Sequence, residues 1–142
     1  MARTDCIAVP VLVDSNVLLD SATKDPKWQA WSERTLTELA DSAVLVINPV
    51  TFAEVSSGFK TVEEMEDLFP PEDFRREGIP YEAAFLAGKC HVRYRRLGGV
   101  RERTLPDFLI GAHAAVRGYR LLIRDGARYL TYFTKIEVIA PD

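Results

Sequence analysis

Four acidic residues are placed where they could do chemistry together: Asp14, Glu54, Asp107 and Asp125. Asp14 and Asp125 come directly after apolar runs, which we interpret as buried strands of a parallel sheet. Glu54 lies about one turn into a predicted helix, and Asp107 lies in the first turn of another. Because ligands bind at the carboxyl edge of such sheets, we expect the four carboxylates to converge there.

Carboxylates that converge repel one another and raise each other's pKa unless cations neutralise them. Hard oxygen ligands of this kind favour Mg²⁺ or Mn²⁺. Such a metal site makes hydroxide from bound water and stabilises the charge of an in-line phosphoryl displacement. The four acids therefore predict phosphodiesterase chemistry that uses Mg²⁺ or Mn²⁺.

Each acid also has an ordinary structural interpretation. The pair Asp14-Ser15 fits an Asx-turn that closes a strand, and Asp125-Gly126 fits a common turn. Glu54 fits a solvated helix acid, and Asp107 fits the last position of a capping box that begins at Thr104. The chemical interpretation depends on all four acids falling at one predicted edge.

Strands alternate with helices along the chain, which is typical of an α/β fold with parallel pairing and right-handed crossovers. The predicted strands cover residues 8–14, 44–47, 121–125 and 136–140. The predicted helices cover residues 25–41, 50–59, 62–69, 81–97 and 105–117, and a short helical segment follows residue 126. We expect the sheet order second, first, third, fourth, because this order puts Asp14 and Asp125 on neighbouring strands.

The composition is that of a soluble single-domain protein. The 142 residues, 47% hydrophobic and 27% charged, contain no repeat or linker, and we assign them to one domain, 1–142. The net charge of −3 does not favour nucleic-acid binding by the whole molecule. An RNA substrate would therefore need a local basic patch or bound cations.

The cysteine and histidine pattern and the N-terminal apolar run favour a cytoplasmic protein. Cys6 and Cys90 form no CxxC pair and no zinc spacing with His91 and His113, which indicates reduced thiols. We interpret His113, on an apolar helix face, as a core residue rather than a ligand. The apolar run 6–13 is too short to span a membrane, and no signal-peptide cleavage pattern follows it.

A basic stretch with Tyr94 interleaved covers the end of the predicted 81–97 helix and the residues that follow it. Its arginines, set against the single acid Glu102, are Arg93, Arg95, Arg96, Arg101 and Arg103. Guanidinium groups bind phosphates and stack on unpaired bases, so we predict that these five residues bind RNA beside the acids. The alternative is a solvated helix end whose charges complement the helix dipole.

Four segments, in order along nearly the whole chain, resemble the PIN domain family and, more narrowly, its VapC-type toxins. They are VLVDSNVLL at 11–19, NPVTFAE at 48–54, LPDFLIGAHA at 105–114 and LIRD at 122–125. The resemblance implies a PIN-like three-layer α/β fold, with a central parallel sheet of about four strands flanked by helices. It implies a metal-dependent endoribonuclease in which Asp14, Glu54, Asp107 and Asp125 hold one or two Mg²⁺ or Mn²⁺ ions, and in which Asn16 helps to order the site.

The resemblance also implies the toxin of a type II toxin–antitoxin system, with a cognate antitoxin protein as partner and a homodimer as the assembly. We predict that Trp28, Trp31 and Phe52 line an apolar groove for an antitoxin segment, with core packing as the alternative for at least one tryptophan. Family members often carry Ser or Thr two residues before the last acid, where this chain has Ile123. The chain therefore lacks a hydroxyl that would support the metal ligands.

Two other functions stay open at this point. Residues 14–17 resemble in part the nucleophile motif of haloacid dehalogenase-type phosphatases, although that motif has a second Asp where Asn16 stands. Those enzymes also need a later lysine, and neither Lys60 nor Lys89 has an evident place in the site. The other alternative is a PIN-like interaction module whose catalytic site has degraded, which Ile123 leaves open.

Overall fold

The computed structural model describes residues 8–99 and 104–141. Over these residues it contains five strands, β1 (Val11–Val13), β2 (Leu45–Ile47), β3 (Phe74–Arg76), β4 (Arg120–Leu122) and β5 (Val138–Ile139). Its helices are α1 (Ser15–Thr23), α2 (Gln29–Ala40), α3 (Pro49–Ser56), α4 (Val62–Leu68), α5 (Tyr81–Arg96), α6 (Thr104–Arg117) and α7 (Ala127–Tyr132). Within the described ranges, no helix is both long and apolar enough to cross a bilayer.

The strands form one parallel sheet in the order β3-β2-β1-β4-β5. The expected order of the four predicted strands is thus confirmed, as β2-β1-β4-β5. Val13 stands in register with Leu122, and the Asp14 backbone amide continues the pairing with a 2.9 Å hydrogen bond to the Leu122 carbonyl. The residues that follow β1 and β4 therefore emerge side by side at the carboxyl edge.

Alternate strand residues face opposite helical layers, which explains why β1 and β2 are continuous apolar runs. Leu12 and its sheet neighbours Val46 and Leu121 pack in a buried cluster with α5 and α6. Val11 and Val13 lie in the other cluster, with residues of α1, α2, α3 and α4. This arrangement confirms the three-layer α/β fold.

Two elements differ from the sequence prediction. The edge strand β3 was not predicted, because residues 74–76 offer one buried Phe74 and two exposed arginines instead of an apolar run. The second difference is α1, which occupies residues to which no element was assigned. Asp14 caps this helix, and its apolar residues Val17 and Leu18 are buried against β1 and β2.

Capping side chains set the helix starts. Thr61 and Glu64 form a capping box at α4. The carboxylate of Asp25 accepts hydrogen bonds from the backbone amides of Lys27 and Trp28, as a cap would, but regular α2 geometry begins only at Gln29. Asn48 caps α3, with Pro49 at its first position.

Candidate functional site

Asp14 lies at the centre of the carboxyl edge, where β1 ends and α1 begins. It is only 2% exposed. Its Oδ2 accepts a 3.1 Å hydrogen bond from the backbone amide of Asn16, so this carboxylate is the N-cap of α1. The Asn16 side chain itself is exposed. Asn16 therefore acts on Asp14 through its backbone in this structure.

The environment of Asp14 opposes its ionisation. Burial raises the pKa of Asp14 to about 7, the Asn16 backbone amide works in the opposite direction, and the nearby negative charges of Asp107 and Glu54 raise it further. Three of the four acids thus interact electrostatically. A carboxylate with this pKa is strongly stabilised by any cation that binds beside it.

Glu54 reaches the site from α3. Its Oε1 accepts a 2.7 Å hydrogen bond from the hydroxyl of Ser15, the first residue of α1. The same helix is tied to the end of β1 by the buried Thr51, whose hydroxyl lies 3.4 Å from the Val13 carbonyl. The position of Glu54 relative to Asp14 is therefore set by two contacts between α3 and the β1–α1 junction.

Asp107 reaches the site from the first turn of α6 and is half-buried. An acid at this position is favourable with respect to the helix dipole. The prediction of a role for Thr104 as cap concerns a side chain that lies outside the described residues. The Asp107 carboxylate lies close enough to Asp14 for its negative charge to raise the pKa of Asp14.

Asp125 is the one exposed acid of the four. It lies beyond β4 at the same edge of the sheet, and it is not among the main causes of the raised pKa of Asp14. Ile123, at the position where the family carries a hydroxyl, is buried in the core cluster with α5 and α6. Between them, Arg124 turns back towards α1, where its Nε lies 3.1 Å from the buried carboxylate of Asp20.

The acids suit a hard divalent cation by their chemistry, although they do not form a closed cage. Among residues 8–99 and 104–141, no group of three His, Cys, Asp or Glu side chains stands ready to hold a metal ion. Yet the buried carboxylate of Asp14 has a pKa that is raised partly by the charges of two other carboxylates, those of Asp107 and Glu54. Together these groups supply oxygen donors and lack a compensating positive charge. The donor set thus fits Mg²⁺ or Mn²⁺.

The basic stretch is only partly within the described residues. Arg93, Arg95 and Arg96 are exposed at the end of α5, whereas Arg101 and Arg103 lie outside the described ranges. The interleaved Tyr94 is half-buried and packs on the rings of Phe108 and Tyr132, at centroid distances of 6.0 and 6.5 Å. Tyr94 thus anchors α5 to α6 and α7.

The three aromatic residues predicted to line one groove have separate contacts. Trp28 and Trp31 pack edge to face, with ring centroids 6.4 Å apart. Phe52 lies under the guanidinium of Arg76, at 4.8 Å, and lines a groove of about 370 Å³ between α3 and the end of β3. Trp31 and Phe52 both border the core cluster on the α1–α4 side.

The sequence analysis missed the residues that position the acids. Ser15, Asn48 and Thr51 are all buried and polar, and each fixes a helix against the sheet edge. The signal available in the sequence was local: a serine directly after the acid, and an Asn-Pro pair directly after β2. The first of these, in the pair Asp14-Ser15, was interpreted as an Asx-turn that closes a strand.

A comparison with protein-family models finds one match, to the PIN domain model, over residues 11–132. No curated protein matches the sequence. The family match spans every element described above except β5.

Solved structures with the same fold are numerous. VapBC2 from Rickettsia felis, solved bound to a DNA fragment from their promoter, has a TM-score of 0.70 at 16% identity, over 94% of this chain and 99% of that chain. FitAcB from Neisseria gonorrhoeae has a TM-score of 0.66 at 18% identity, over 91% and 96%. A toxin–antitoxin complex from Klebsiella pneumoniae has a TM-score of 0.66 at 20% identity, over 93% and 98%. At these identities the likeness establishes the fold.

Proposed function

The chain belongs to the PIN domain family, and on this premise we propose that it is a metal-dependent endoribonuclease, the toxin of a type II toxin–antitoxin system. The observation that carries the proposal is the environment of Asp14. This carboxylate is 2% exposed and its pKa is raised to about 7, in part by the charges of two other acids, so a bound cation would stabilise its charged form. The solved complexes with the same fold, at low identity, support the toxin assignment through fold alone.

In this proposal Asp14, Glu54, Asp107 and Asp125 hold one or two Mg²⁺ or Mn²⁺ ions. Bound metal supplies a hydroxide nucleophile and neutralises the charge that develops on the scissile phosphate. Hydrogen bonds within the chain hold two of the carboxylates in position. The Asn16 backbone amide donates to Asp14, and the Ser15 hydroxyl donates to Glu54. Asp125, exposed at the same edge, is the ligand that solvent and substrate reach first.

In this proposal the substrate is single-stranded RNA. Its phosphodiester backbone needs cations at the site of cleavage and a basic surface that holds the strand. The net charge of −3 gives the molecule no general attraction for nucleic acid. A local attraction for nucleic acid comes from the exposed arginines Arg93, Arg95 and Arg96, on the helix packed against α6. We assign them, with Arg101 and Arg103, to the phosphates of the RNA strand.

The partners in this proposal are an antitoxin protein and a second copy of the chain. For the second copy we assign the outer face of α5, where Tyr81 and Phe85 are 90% and 69% exposed and Val92 follows two turns later. Two such helices packed antiparallel about Gly88 bring Phe85 of one copy to Val92 of the other. The apolar side chains of this face can thus cover each other, as a two-fold interface requires.

The phosphatase alternative loses its support, because the family match accounts for the segment around Asp14 without a second aspartate. The non-catalytic module is the remaining competitor, and Ile123 is the residue that favours it. It predicts that the protein binds divalent metal and leaves RNA intact.

The test is cleavage of total cellular RNA by the purified protein with Mg²⁺, Mn²⁺ or EDTA. We expect discrete fragments that require metal and that disappear in Asp14→Asn. The matched control is Asp67→Asn, which removes an exposed carboxylate of α4 and should cleave as the wild type does. Unchanged cleavage by Asp14→Asn would disprove the proposal, and metal binding without cleavage would favour the interaction module.

A further inference from the structure

A buried polar network joins α3, β3 and α6, and it contains none of the four acids discussed above. Its centre is His113, which is fully buried in the middle of α6. The His113 Nδ1 lies 3.1 Å from Asn48 Nδ2, and its Nε2 lies 3.1 Å from Glu77 Oε1. The Tyr119 hydroxyl lies 2.9 and 3.0 Å from the two carboxylate oxygens of Glu77.

The helix cap fixes the direction of the two hydrogen bonds that His113 makes. Asn48 Oδ1 accepts from the backbone amides of Val50 and Thr51, at 2.9 and 3.0 Å, so the Asn48 amide nitrogen faces His113. That nitrogen can only donate, and His113 Nδ1 must therefore be the unprotonated acceptor. The hydrogen of the neutral imidazole sits on Nε2 and is donated to Glu77.

Burial keeps the imidazole in this neutral form. Burial lowers the pKa of His113, outweighing the opposite effect of Glu77, so the ring stays neutral. Burial alone would raise the pKa of Glu77, but the bonds from His113 and Tyr119 lower it overall. Arg75 and Arg117 lie 3.2 and 3.7 Å from Glu77, and their positive charges offset the negative charge of its carboxylate.

We propose that His113 is a positioning residue of the metal site, because its bond to Asn48 joins the start of α3 to the middle of α6. These two helices carry Glu54 and Asp107, so this bond sets how far apart their carboxylates stand. An apolar side chain at this position would leave the buried Asn48 amide nitrogen without this partner, and the polar link between the two helices would be lost. The proposal rests on the proposed function in that it assigns Glu54 and Asp107 to the metal.

The two hydrogen bonds of His113 can be separated by substitution. In His113→Asn the side-chain oxygen takes the place of Nδ1 and still accepts from Asn48. In His113→Gln the side-chain amide takes the place of Nε2, still donates to Glu77 and loses Asn48. Asn48→Ser is the third variant, since a serine retains a capping oxygen for α3 and lacks the amide that reaches His113.

The first measurement is Mn²⁺ affinity by calorimetry, alongside the unfolding temperature of each variant. We expect His113→Gln and Asn48→Ser to bind Mn²⁺ about 10-fold more weakly, as when an outer hydrogen-bond partner of a metal site is lost. We expect His113→Asn to stay within about 3-fold of the wild type. Equal losses in all three variants, or losses that follow the unfolding temperature, would overturn the proposal.

The second measurement uses the metal-free protein, so that it does not depend on the proposed function. In ¹H–¹⁵N spectra, we expect His113→Gln to shift the backbone amides of Glu54 and Asp107, and His113→Asn to leave both in place. Shifts confined to the neighbours of residue 113 in both variants would overturn the positioning role. If the wild type binds no Mn²⁺, the metal site is disproved. The spectra of the metal-free variants then decide on their own whether His113 positions Glu54 and Asp107. Should His113→Gln fail to fold, Asn48→Ser carries both measurements.

Discussion

The hydroxyl of Ser15 donates a 2.7 Å hydrogen bond to Glu54 Oε1, and this bond spans 39 residues of sequence. It joins the first residue of the helix that Asp14 caps to the middle of the helix that follows β2. Two acids that stand far apart in the chain are thereby placed in one site through a neutral residue. The first prediction tests the contribution of this bond.

Ser15→Ala should lower both stability and activity. A lost hydrogen bond to a half-buried carboxylate costs about 1–2 kcal/mol in unfolding free energy, and a carboxylate that loses its outer partner is expected to lower kcat about 10-fold. Urea unfolding and steady-state RNA cleavage measure the two effects. Ser57→Ala is the matched control, because the Ser57 hydroxyl is exposed and bonds only the backbone carbonyl of Glu54. Full activity in Ser15→Ala would show that Glu54 needs no such support.

The stability of the metal-free protein should fall as pH rises from about 4 to about 7. The pKa of Asp14 is raised by burial to about 7 in the folded state from 3.8 in the unfolded chain. Between these values the folded state binds the extra proton, so raising the pH favours unfolding, by about 1.4 kcal/mol for each pKa unit. Above pH 7 the full cost is present.

The variant Asp14→Asn isolates this effect, because an amide cannot ionise and its oxygen can still accept from the Asn16 amide. In EDTA, we expect Asp14→Asn to be more stable than the wild type at pH 8 and to lack the decline between pH 4 and 7. Asp67→Asn serves again as the control. Parallel pH profiles for wild type and Asp14→Asn would mean that the burial of Asp14 does not persist in solution.

Removing the exposed arginines of α5 should weaken RNA binding and leave the chemical step intact. We expect Arg95→Ala with Arg96→Ala to raise KM several-fold at low salt, with kcat unchanged. Each lost phosphate contact should reduce the slope of log K against log salt by about 0.7. Arg34→Ala, an exposed arginine of α2, is the control. A fall in kcat at constant KM would assign the arginines to the reaction rather than to binding.

Phe85→Glu should convert a dimer into a monomer. A buried charge in the centre of the α5 face costs roughly 3 kcal/mol or more, which corresponds to a dimer at least 100-fold weaker. Sedimentation velocity measures the change. Val62→Glu, at an exposed position of α4, introduces the same charge elsewhere and should leave the mass unaltered. A wild type that is monomeric at all concentrations, or a dimeric Phe85→Glu, would remove this face from the proposal.

The strands, most helices and the sheet order followed from the sequence because apolar runs and caps are local signals. The runs that became β1, β2 and β4 are buried on both faces, and such runs are easy to recognise. The edge strand β3 gives no such signal, since one of its sides has no neighbouring strand and its arginines face solvent. The helix α1 was missed because its cap was interpreted as a turn.

For the candidate site, the sequence predicted a set of acids but not the contacts that position their side chains. Parallel topology predicted that Asp14 and Asp125 share one edge, and they do. Whether their carboxylates meet depends on side-chain positions that the hydrogen bonds of distant residues set, such as Ser15 with Glu54. The buried network of His113 was beyond local patterns for the same reason, since its partners Asn48 and Glu77 come from other elements.

The pairing of β1 with β4 has a consequence for the order of events during synthesis. Asp14 and Asp107 are separated by about ninety residues, and the strand that completes the edge beside Asp14 comes later still. A ribosome adds about 5–20 residues per second, so the first acid waits for several seconds before its neighbours exist. A nascent chain therefore lacks a complete candidate site until α6 and β4 have been made.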